Sequence, residues 1–146
     1  MKIRVEHILE GENEIILRCT ELDTEMLEVL ALLKDRTVKI AAQKDGEVVM
    51  LLPGQVFYTE AVDGRTFLYT ENSVFETQMT LTQLELKYEE TGLIRIGKSQ
   101  LINLYHVEKF KNIANSRIEV TLKSKERMIV SRHYAQALKN KLGVSE

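Results

Sequence analysis

The sequence has one cysteine, one proline, no tryptophan and three histidines. The lone Cys19 cannot form an internal disulfide, and His7, His106 and His133 lie too far apart for a zinc-ligand motif. Cys19 ends the apolar run Ile15 to Leu17, so we expect it to be a small core residue. No apolar run approaches the roughly 20 residues of a membrane span, and the N-terminus lacks the apolar core of a secretory signal. These absences predict a cytoplasmic protein that neither spans a membrane nor carries a metal or other cofactor.

Patterns that carry enzyme chemistry are also missing. Pro53-Gly54 and Asp63-Gly64 read as turns rather than as parts of a glycine loop that cradles phosphate. Carboxylates such as Glu89 and Glu90 sit where helix surfaces or turns expose them to water. The sequence therefore predicts that the protein is not an enzyme.

What the chain does have is an uneven distribution of charge. With 44% hydrophobic and 29% charged residues, its 146 residues suit a globular protein with one sizeable core. From Leu93 to the end there are eleven Lys or Arg and four acids, a net charge of +7. The preceding residues carry nine basic and eighteen acidic side chains, a net charge of −9. This asymmetry favours a polyanionic partner for the basic part. The alternative is a chance segregation that folding interleaves again.

The first 36 residues predict a small β-β-α extension. Ile3 and Val5 alternate with polar neighbours, as in a half-buried strand, and a turn at residues 11–13 leads to a second predicted strand over residues 14–19. Asp23 can cap a helix whose apolar residues recur every three or four positions. The extension is too short to fold alone, so we expect it to pack on the rest of the chain or to form a homodimer.

Residues 37–146 predict a mostly β domain built from antiparallel strands. Hairpin turns at Asp45-Gly46 and Asp63-Gly64 join alternating strands at regular spacing, which is typical of a β-sandwich-like fold. Thr80 and Gln83 form the capping box of one short internal helix. A last amphipathic helix is predicted from Ser131 to Gly143.

Two clusters of hydrogen-bond donors stand out in this domain. The stretch 94–104 contains Arg95, Lys98, Ser99 and Asn103 and no carboxylate. The second cluster, Ser131-Arg132-His133, comes some thirty residues later at the predicted start of the last helix. Donors held by a rigid scaffold suit the binding of a phosphate backbone.

Together the two clusters resemble the LytTR-type DNA-binding domain of bacterial transcriptional regulators, over roughly residues 37–143. The resemblance rests on Ile94, Arg95, Lys98, Ser99, Leu101, Ile102, Asn103 and Leu104, and on the hairpin of residues 117–130 with Ser131-Arg132-His133-Tyr134 after it. Gly97 departs from the pattern, since response-regulator members usually have histidine there. Some 36 residues cannot form the receiver domain that often precedes this module, so we expect a stand-alone regulator.

The resemblance implies that loops enter successive major grooves of promoter DNA and read two half-sites in the same orientation. It places contacts at Lys98, at the residues after Ser131, and in the hairpin that contains Arg65 and Thr66, where the family's histidine is absent. It also implies a membrane protein as a candidate signalling partner.

Roles within the expected DNA contact follow from side-chain chemistry. Lys and Arg match the two acceptors of guanine, so Lys98, Arg132 and His133 are the candidates for base contacts. Arg95, Lys123 and Lys125 are candidates for phosphate contacts, as are Lys109, Lys111 and Arg117. Ser99 and Asn103 have a structural alternative, in which they hold their own loop by hydrogen bonds. The alternative for Arg132 is a salt bridge at the helix start.

Two other functions remain open from the sequence. The same basic face suits RNA or single-stranded nucleic acid. The second alternative is a protein-interaction module, whose partner binds the N-terminal extension.

Overall fold

The computed structural model describes the backbone of residues 1–143, and the side chains of that range except those of residues 34–38 and 90. Helix α1 spans Thr24–Val38, and five strands follow: β1 Ile40–Lys44, β2 Glu47–Leu51, β3 Tyr58–Val62, β4 Arg65–Tyr69 and β5 Val74–Thr77. Helix α2, Leu81–Tyr88, precedes β6 Leu93–Gly97, β7 Gln100–Asn103, β8 Val107–Ile113, β9 Arg117–Leu122 and β10 Arg127–Val130. Helix α3, Arg132–Leu142, completes the described chain. None of the helices in residues 1–143 is both long and apolar enough to cross a membrane.

The strands form two antiparallel sheets. The larger sheet has the order β2-β1-β5-β4-β3-β7-β6, and the smaller has the order β10-β9-β8. In β7, Leu101 packs against α2 whereas its neighbour Ile102 packs against the smaller sheet and α3. Because successive side chains of a strand point to opposite faces, α2 and the smaller sheet cover opposite faces of the larger one. The prediction of a mostly β, antiparallel domain with one internal and one C-terminal helix is confirmed.

Each side of the larger sheet has its own core. Between the sheets and α3 lie Phe57, Ile94, Ile96, Ile102, Ile118, Val120, Leu122, Met128, Val130, Ala135 and Leu138. Under α2 lie Ile40, Ala42, Leu51, Val56, Leu68, Leu81, Leu84, Tyr88, Leu93 and Leu101. The strands that carry the donor-rich stretch, β6 and β7, contribute to both cores. Their turn is therefore anchored from two sides.

Several local signals act as the sequence predicts. Thr80 and Gln83 exchange hydrogen bonds of 2.9 and 3.1 Å in the capping box of α2. Asp23 accepts a 3.0 Å hydrogen bond from the Met26 amide at the start of α1. Helix α3 begins directly after Ser131, although the Ser131 side chain makes no capping bond, and Gly143 ends it with φ of 73°.

The two strands predicted before α1 are wrong for the single chain. Residues 1–23 contain no strand, and every one of them is exposed, including Cys19, which was expected in the core. A strand needs a partner for its backbone groups, and the described part of this chain supplies none there. The strand predicted from residue 37 begins instead at Ile40, because α1 continues to Val38.

Candidate nucleic-acid interface

Three corners of the fold meet at one end of the molecule. The first is the β3–β4 hairpin, whose turn residues Asp63 and Gly64 have φ of 51° and 77°, as a tight two-residue turn requires. The second is the Lys98-Ser99 turn between β6 and β7, which is tied to the first because the Ala61 amide donates a 2.9 Å hydrogen bond to the Ser99 carbonyl. The third is the junction between β10 and α3.

A main-chain hydrogen bond joins the second corner to the third. The Ser131 amide donates to the Ile96 carbonyl at 2.9 Å. Lys98 lies two residues beyond Ile96, and Arg132 is the next residue after Ser131. Standard backbone dimensions then limit the distance between the α-carbons of Lys98 and Arg132 to at most about 15 Å. The two donor clusters, more than thirty positions apart in the chain, are thus neighbours in space.

Lys98, Ser99, Arg132 and His133 are all exposed at this end. Neither Lys98 nor Arg132 forms an ion pair with any side chain that the structure describes. The salt bridge considered for Arg132 is therefore absent among those residues, while the His133 ring packs edge-on against Tyr134 with centroids 4.7 Å apart. We call Lys98, Ser99, Arg132 and His133 the two-corner surface.

Arg65 borders this surface but is held by a carboxylate. Its guanidinium pairs with Glu76 on β5 and lies 5.4 Å from the centre of the Phe67 ring. The hydrogen bond to Glu76 raises the pKa of Arg65 and lowers the pKa of Glu76. Arg65 keeps 62% of its side chain exposed, so it can still face an anion. Its neighbour Thr66 is buried, because alternate residues of β4 point into the core, and the expected DNA contact at Thr66 is wrong.

Arg95 holds the turn rather than facing solvent. Only 14% of its side chain is exposed, and its guanidinium pairs with Glu85 at 3.4 Å. It also donates to the Thr82 hydroxyl at 3.2 Å and to the Lys98 carbonyl at 3.0 Å. These bonds indicate a positioning role for Arg95, and the phosphate contact expected there stays a prediction. Thr82 and Glu85 were missed in the sequence, although their spacing puts them on one face of α2.

The substitution Arg95→Ala should loosen the Lys98 turn without removing a phosphate contact. Loss of its hydrogen bonds and of the half-exposed ion pair should lower the free energy of unfolding by about 1 kcal/mol. Affinity for DNA should fall roughly threefold, an order-of-magnitude expectation for a turn that is less well ordered. The slope of log affinity against log salt should stay unchanged, because the number of phosphates neutralised is unchanged. Arg127→Ala, which removes an exposed arginine at the far end of β10, is the matched control. A smaller salt slope for Arg95→Ala would show that Arg95 touches phosphate.

Asn103 has no exposed surface. Its amide nitrogen donates to the carbonyls of Val56 at 2.9 Å and Pro53 at 3.2 Å. Its amide oxygen accepts a 3.0 Å hydrogen bond from the Tyr105 amide. The DNA contact expected at Asn103 is thus wrong, and the structural alternative describes what this side chain does.

Lys123 and Lys125 lie away from the two-corner surface. They occupy the tip of the β9–β10 hairpin, whereas Arg132 follows the opposite end of β10. The Lys123 amide bonds to the carbonyl of His106, and the Lys125 ammonium pairs with Glu108 at 2.7 Å. Because four strand residues span roughly 13 Å, these two lysines lie apart from Arg132, and the phosphate contacts expected at them stay a prediction.

The tip that carries these lysines closes a groove of 540 Å³ lined partly by Tyr58, Tyr69 and Glu126. The two tyrosine rings stack with centroids 4.2 Å apart. Burial, followed by the nearby Glu126 carboxylate, raises the pKa of Tyr58 to about 12. The aromatic and acidic lining separates this end chemically from the two-corner surface.

Because of the raised Tyr58 pKa, the free energy of unfolding should fall in strong alkali. The folded chain keeps the Tyr58 proton up to about pH 12, whereas the unfolded chain loses it near the ordinary tyrosine pKa of 10.0. The contribution of Tyr58 is complete below about pH 10 and is lost as the pH rises toward 12. Between about pH 9 and about pH 11, the free energy of unfolding measured with urea should fall more for the parent protein than for Tyr58→Phe. Equal losses in the two proteins would contradict this prediction.

Comparisons with known proteins relate this chain to a family of DNA-binding domains. The LytTr DNA-binding domain family matches residues 46–143. The sensory transduction protein LytT of Bacillus cereus is 27% identical over 106 residues, which are 73% of this chain and 43% of that protein. An uncharacterised HTH-type transcriptional regulator of Staphylococcus aureus strain NCTC 8325 is 26% identical over 110 residues, 75% of this chain and 74% of that protein. The chain thus spans less than half the length of LytT.

A solved structure shows the same fold. The LytTr DNA-binding domain of a Bacillus cereus protein superimposes with a TM-score of 0.68 at 22% identity, covering 73% of this chain and 97% of that one. The family match covers well over half of the chain and includes both donor clusters and the hairpin between them. This chain belongs to the LytTr DNA-binding domain family.

Proposed function

We propose that this chain is a bacterial transcriptional regulator that binds duplex promoter DNA in the cytoplasm through the two-corner surface. The observation that carries the proposal is the hydrogen bond between Ser131 and Ile96, which sets Lys98 and Arg132 side by side. Both cations are exposed and unpaired among the described side chains, so their charge is available to phosphates and base edges.

The shape of this end suits a groove of duplex DNA. Lys98 sits on a tight turn and Arg132 on the first residue of α3, so both side chains project from corners. The major groove is about 12 Å wide, which matches the limit of about 15 Å between the two α-carbons. Arg65 lies on the adjoining hairpin and can meet the flanking backbone while it remains paired with Glu76.

In this proposal Lys98 and Arg132 read base edges, and Ser99 and His133 contact phosphate or base edges beside them. Arg95 acts as a positioning residue that holds the Lys98 turn, whereas Asn103 holds the loop at Pro53 and Val56 at the other end of β7. Two copies bind two half-sites in the same orientation, as the family resemblance implies. Recognition of DNA bases by loops differs from recognition by a helix inserted into the groove. Loop recognition needs rigid turns rather than an exposed helix face.

A binding assay with the protein's own upstream region tests the proposal. Retention of the duplex in a gel shift, with affinity falling steeply as salt rises, is the expected result. RNA is the second candidate ligand, because the surface is basic and includes the His133 ring, on which a base can stack. Tighter retention of single-stranded RNA of the same sequence would overturn the proposal in favour of RNA. If the duplex is not retained at any salt concentration, the result would favour a protein-interaction module.

Lys123→Ala is expected to leave duplex affinity nearly unchanged. Its backbone lies beyond the Arg127 end of β10, and the four residues of β10 span roughly 13 Å, more than the screening length of about 8–10 Å. Titration of one promoter fragment with the parent and the variant should give dissociation constants that agree within roughly twofold at physiological salt. A reduced salt slope for Lys123→Ala would instead extend the contact to the hairpin tip.

A further inference from the structure

The segment before α1 is the part of the chain that the DNA-binding domain does not use. All of residues 1–23 are exposed, although the segment is rich in apolar side chains. The large exposed ones are Met1, Ile3, Val5, Ile8, Leu9, Ile15, Ile16, Leu17 and Leu22. Single exposed hydrophobic residues are ordinary, but nine large ones exposed within 23 residues favour an interaction surface.

The charge of the segment selects the kind of partner. It has three basic residues, Lys2, Arg4 and Arg18, against six acidic ones, a net charge of −3. Phosphate-bearing partners such as DNA or an anionic membrane surface would be repelled. The partner must instead offer apolar surface together with charges of both signs.

The stretch Glu14-Ile15-Ile16-Leu17-Arg18 meets that requirement with its own copy. In an antiparallel pair centred on Ile16, Glu14 of each strand faces Arg18 of the other. Ile15 then faces Leu17, and the two Ile16 residues meet on the axis. Opposite charges and apolar pairs directly across an antiparallel ladder are stabilising, whereas like charges there are destabilising. A shift by one residue breaks both charge pairs at once.

We propose that residues 14–18 of two copies of this chain pair as antiparallel strands about a two-fold axis at Ile16. Such a contact is isologous, the usual form in symmetric dimers. It explains why a segment with strand-like sequence forms no strand in the single chain, since its backbone partner is in the second copy. A standard interface uses about 20–30 residues on each side, which residues 1–23 and the exposed side of α1 can supply.

This pairing goes beyond the proposed function, because residues 14–18 lie outside the two-corner surface. Dimerisation and DNA contact use separate parts of the chain: residues 14–18 lie before α1, and the two-corner surface lies after β6. A single half-site is therefore bound by the monomer as well. This separation lets failure of one proposal be told from failure of the other.

Charge reversal tests the pairing. Arg18→Glu sets two Glu-Glu contacts across the axis, and Glu14→Arg sets two Arg-Arg contacts. Each should raise the dimer dissociation constant roughly 30-fold, from two pairs changed by about 1 kcal/mol each. The double variant Glu14→Arg/Arg18→Glu restores opposite charges and should return the constant to near the parent value. Glu12→Arg, the same change two residues earlier in the turn, is the matched control and should leave it unaltered.

Sedimentation velocity over a range of concentrations measures these constants on the full chain. Rescue by the double variant supports the pairing, because a merely damaged fold would not be restored by a second reversal. A parent protein that stays monomeric, or a double variant as weak as the single ones, would overturn it. The same proteins titrated with a single half-site duplex should bind alike, so loss of that binding in the parent would count against the proposed function instead.

The single cysteine supplies an independent distance. Cys19 is exposed and lies three residues from Ile16, so the two Cys19 α-carbons in the pair are six strand positions apart. Six positions span roughly 20 Å. Nitroxide labels on Cys19 should give one narrow distance distribution near this value, broadened by the label arms, and it should vanish in Arg18→Glu. A direct Cys19–Cys19 disulfide in high yield would contradict the proposed register.

Discussion

Loss of both cations of the two-corner surface, in Lys98→Ala/Arg132→Ala, is expected to weaken binding of a promoter duplex by about 4 kcal/mol, roughly a thousandfold. Each side chain should contribute about 1–3 kcal/mol, and each single variant should relax discrimination at one base position. The effects should add, because the side chains project from different corners and share no described partner.

The measurement is a titration of one labelled promoter fragment and of the same fragment with single base changes. Lys123→Ala/Lys125→Ala removes the same formal charge from the far hairpin tip and is the matched control. The control should retain most of its affinity and all of its base preference. Equal loss in the two double variants would mean that net charge, rather than the placement of Lys98 and Arg132, governs binding.

Asn103→Ala should lower the free energy of unfolding by about 3 kcal/mol. The substitution leaves two buried carbonyls and one partly buried amide without the hydrogen bonds that the Asn103 side chain now supplies. Each buried group left without a partner costs on the order of 1–3 kcal/mol, and relaxation around the smaller side chain recovers part of the sum.

Urea unfolding of the two proteins measures this difference. Asn112→Ala, at an exposed position of β8, is the matched control and should change stability by no more than about 0.5 kcal/mol. Folded Asn103→Ala at low temperature should still bind DNA with nearly parent affinity, since the side chain does not reach the surface. A stable Asn103→Ala that has lost DNA binding would restore Asn103 to the contact set.

The sequence predicted those parts of the fold whose cause is local. Asp63-Gly64 specifies a tight turn, and the exchange of bonds between Thr80 and Gln83 begins α2 whatever surrounds it. The inward positions Ile118, Val120 and Leu122 followed from alternation alone and are all fully buried. The strands predicted before α1 failed because a strand depends on a distant partner.

The same distinction applies to the residues of the predicted site. Residue type shows that a side chain can donate hydrogen bonds, but it does not show to which atom. Arg95 and Asn103 donate their hydrogen bonds to other atoms of the protein. The sequence does not show these bonds, because they depend on how α2 and the Pro53 loop pack. Likewise, the position of Lys123 relative to Arg132 depends on which end of β10 each one adjoins.

The Ser131–Ile96 bond has a consequence for how such a regulator can change its target during evolution. Both of its partners are main-chain atoms, so it persists when any side chain at these corners is exchanged, apart from proline at 131. In the proposed function, positions 98 and 132 can therefore change independently to other residues that recognise bases, while the distance between their α-carbons keeps the same limit. New promoter preferences then require substitutions at two surface positions and no redesign of the scaffold.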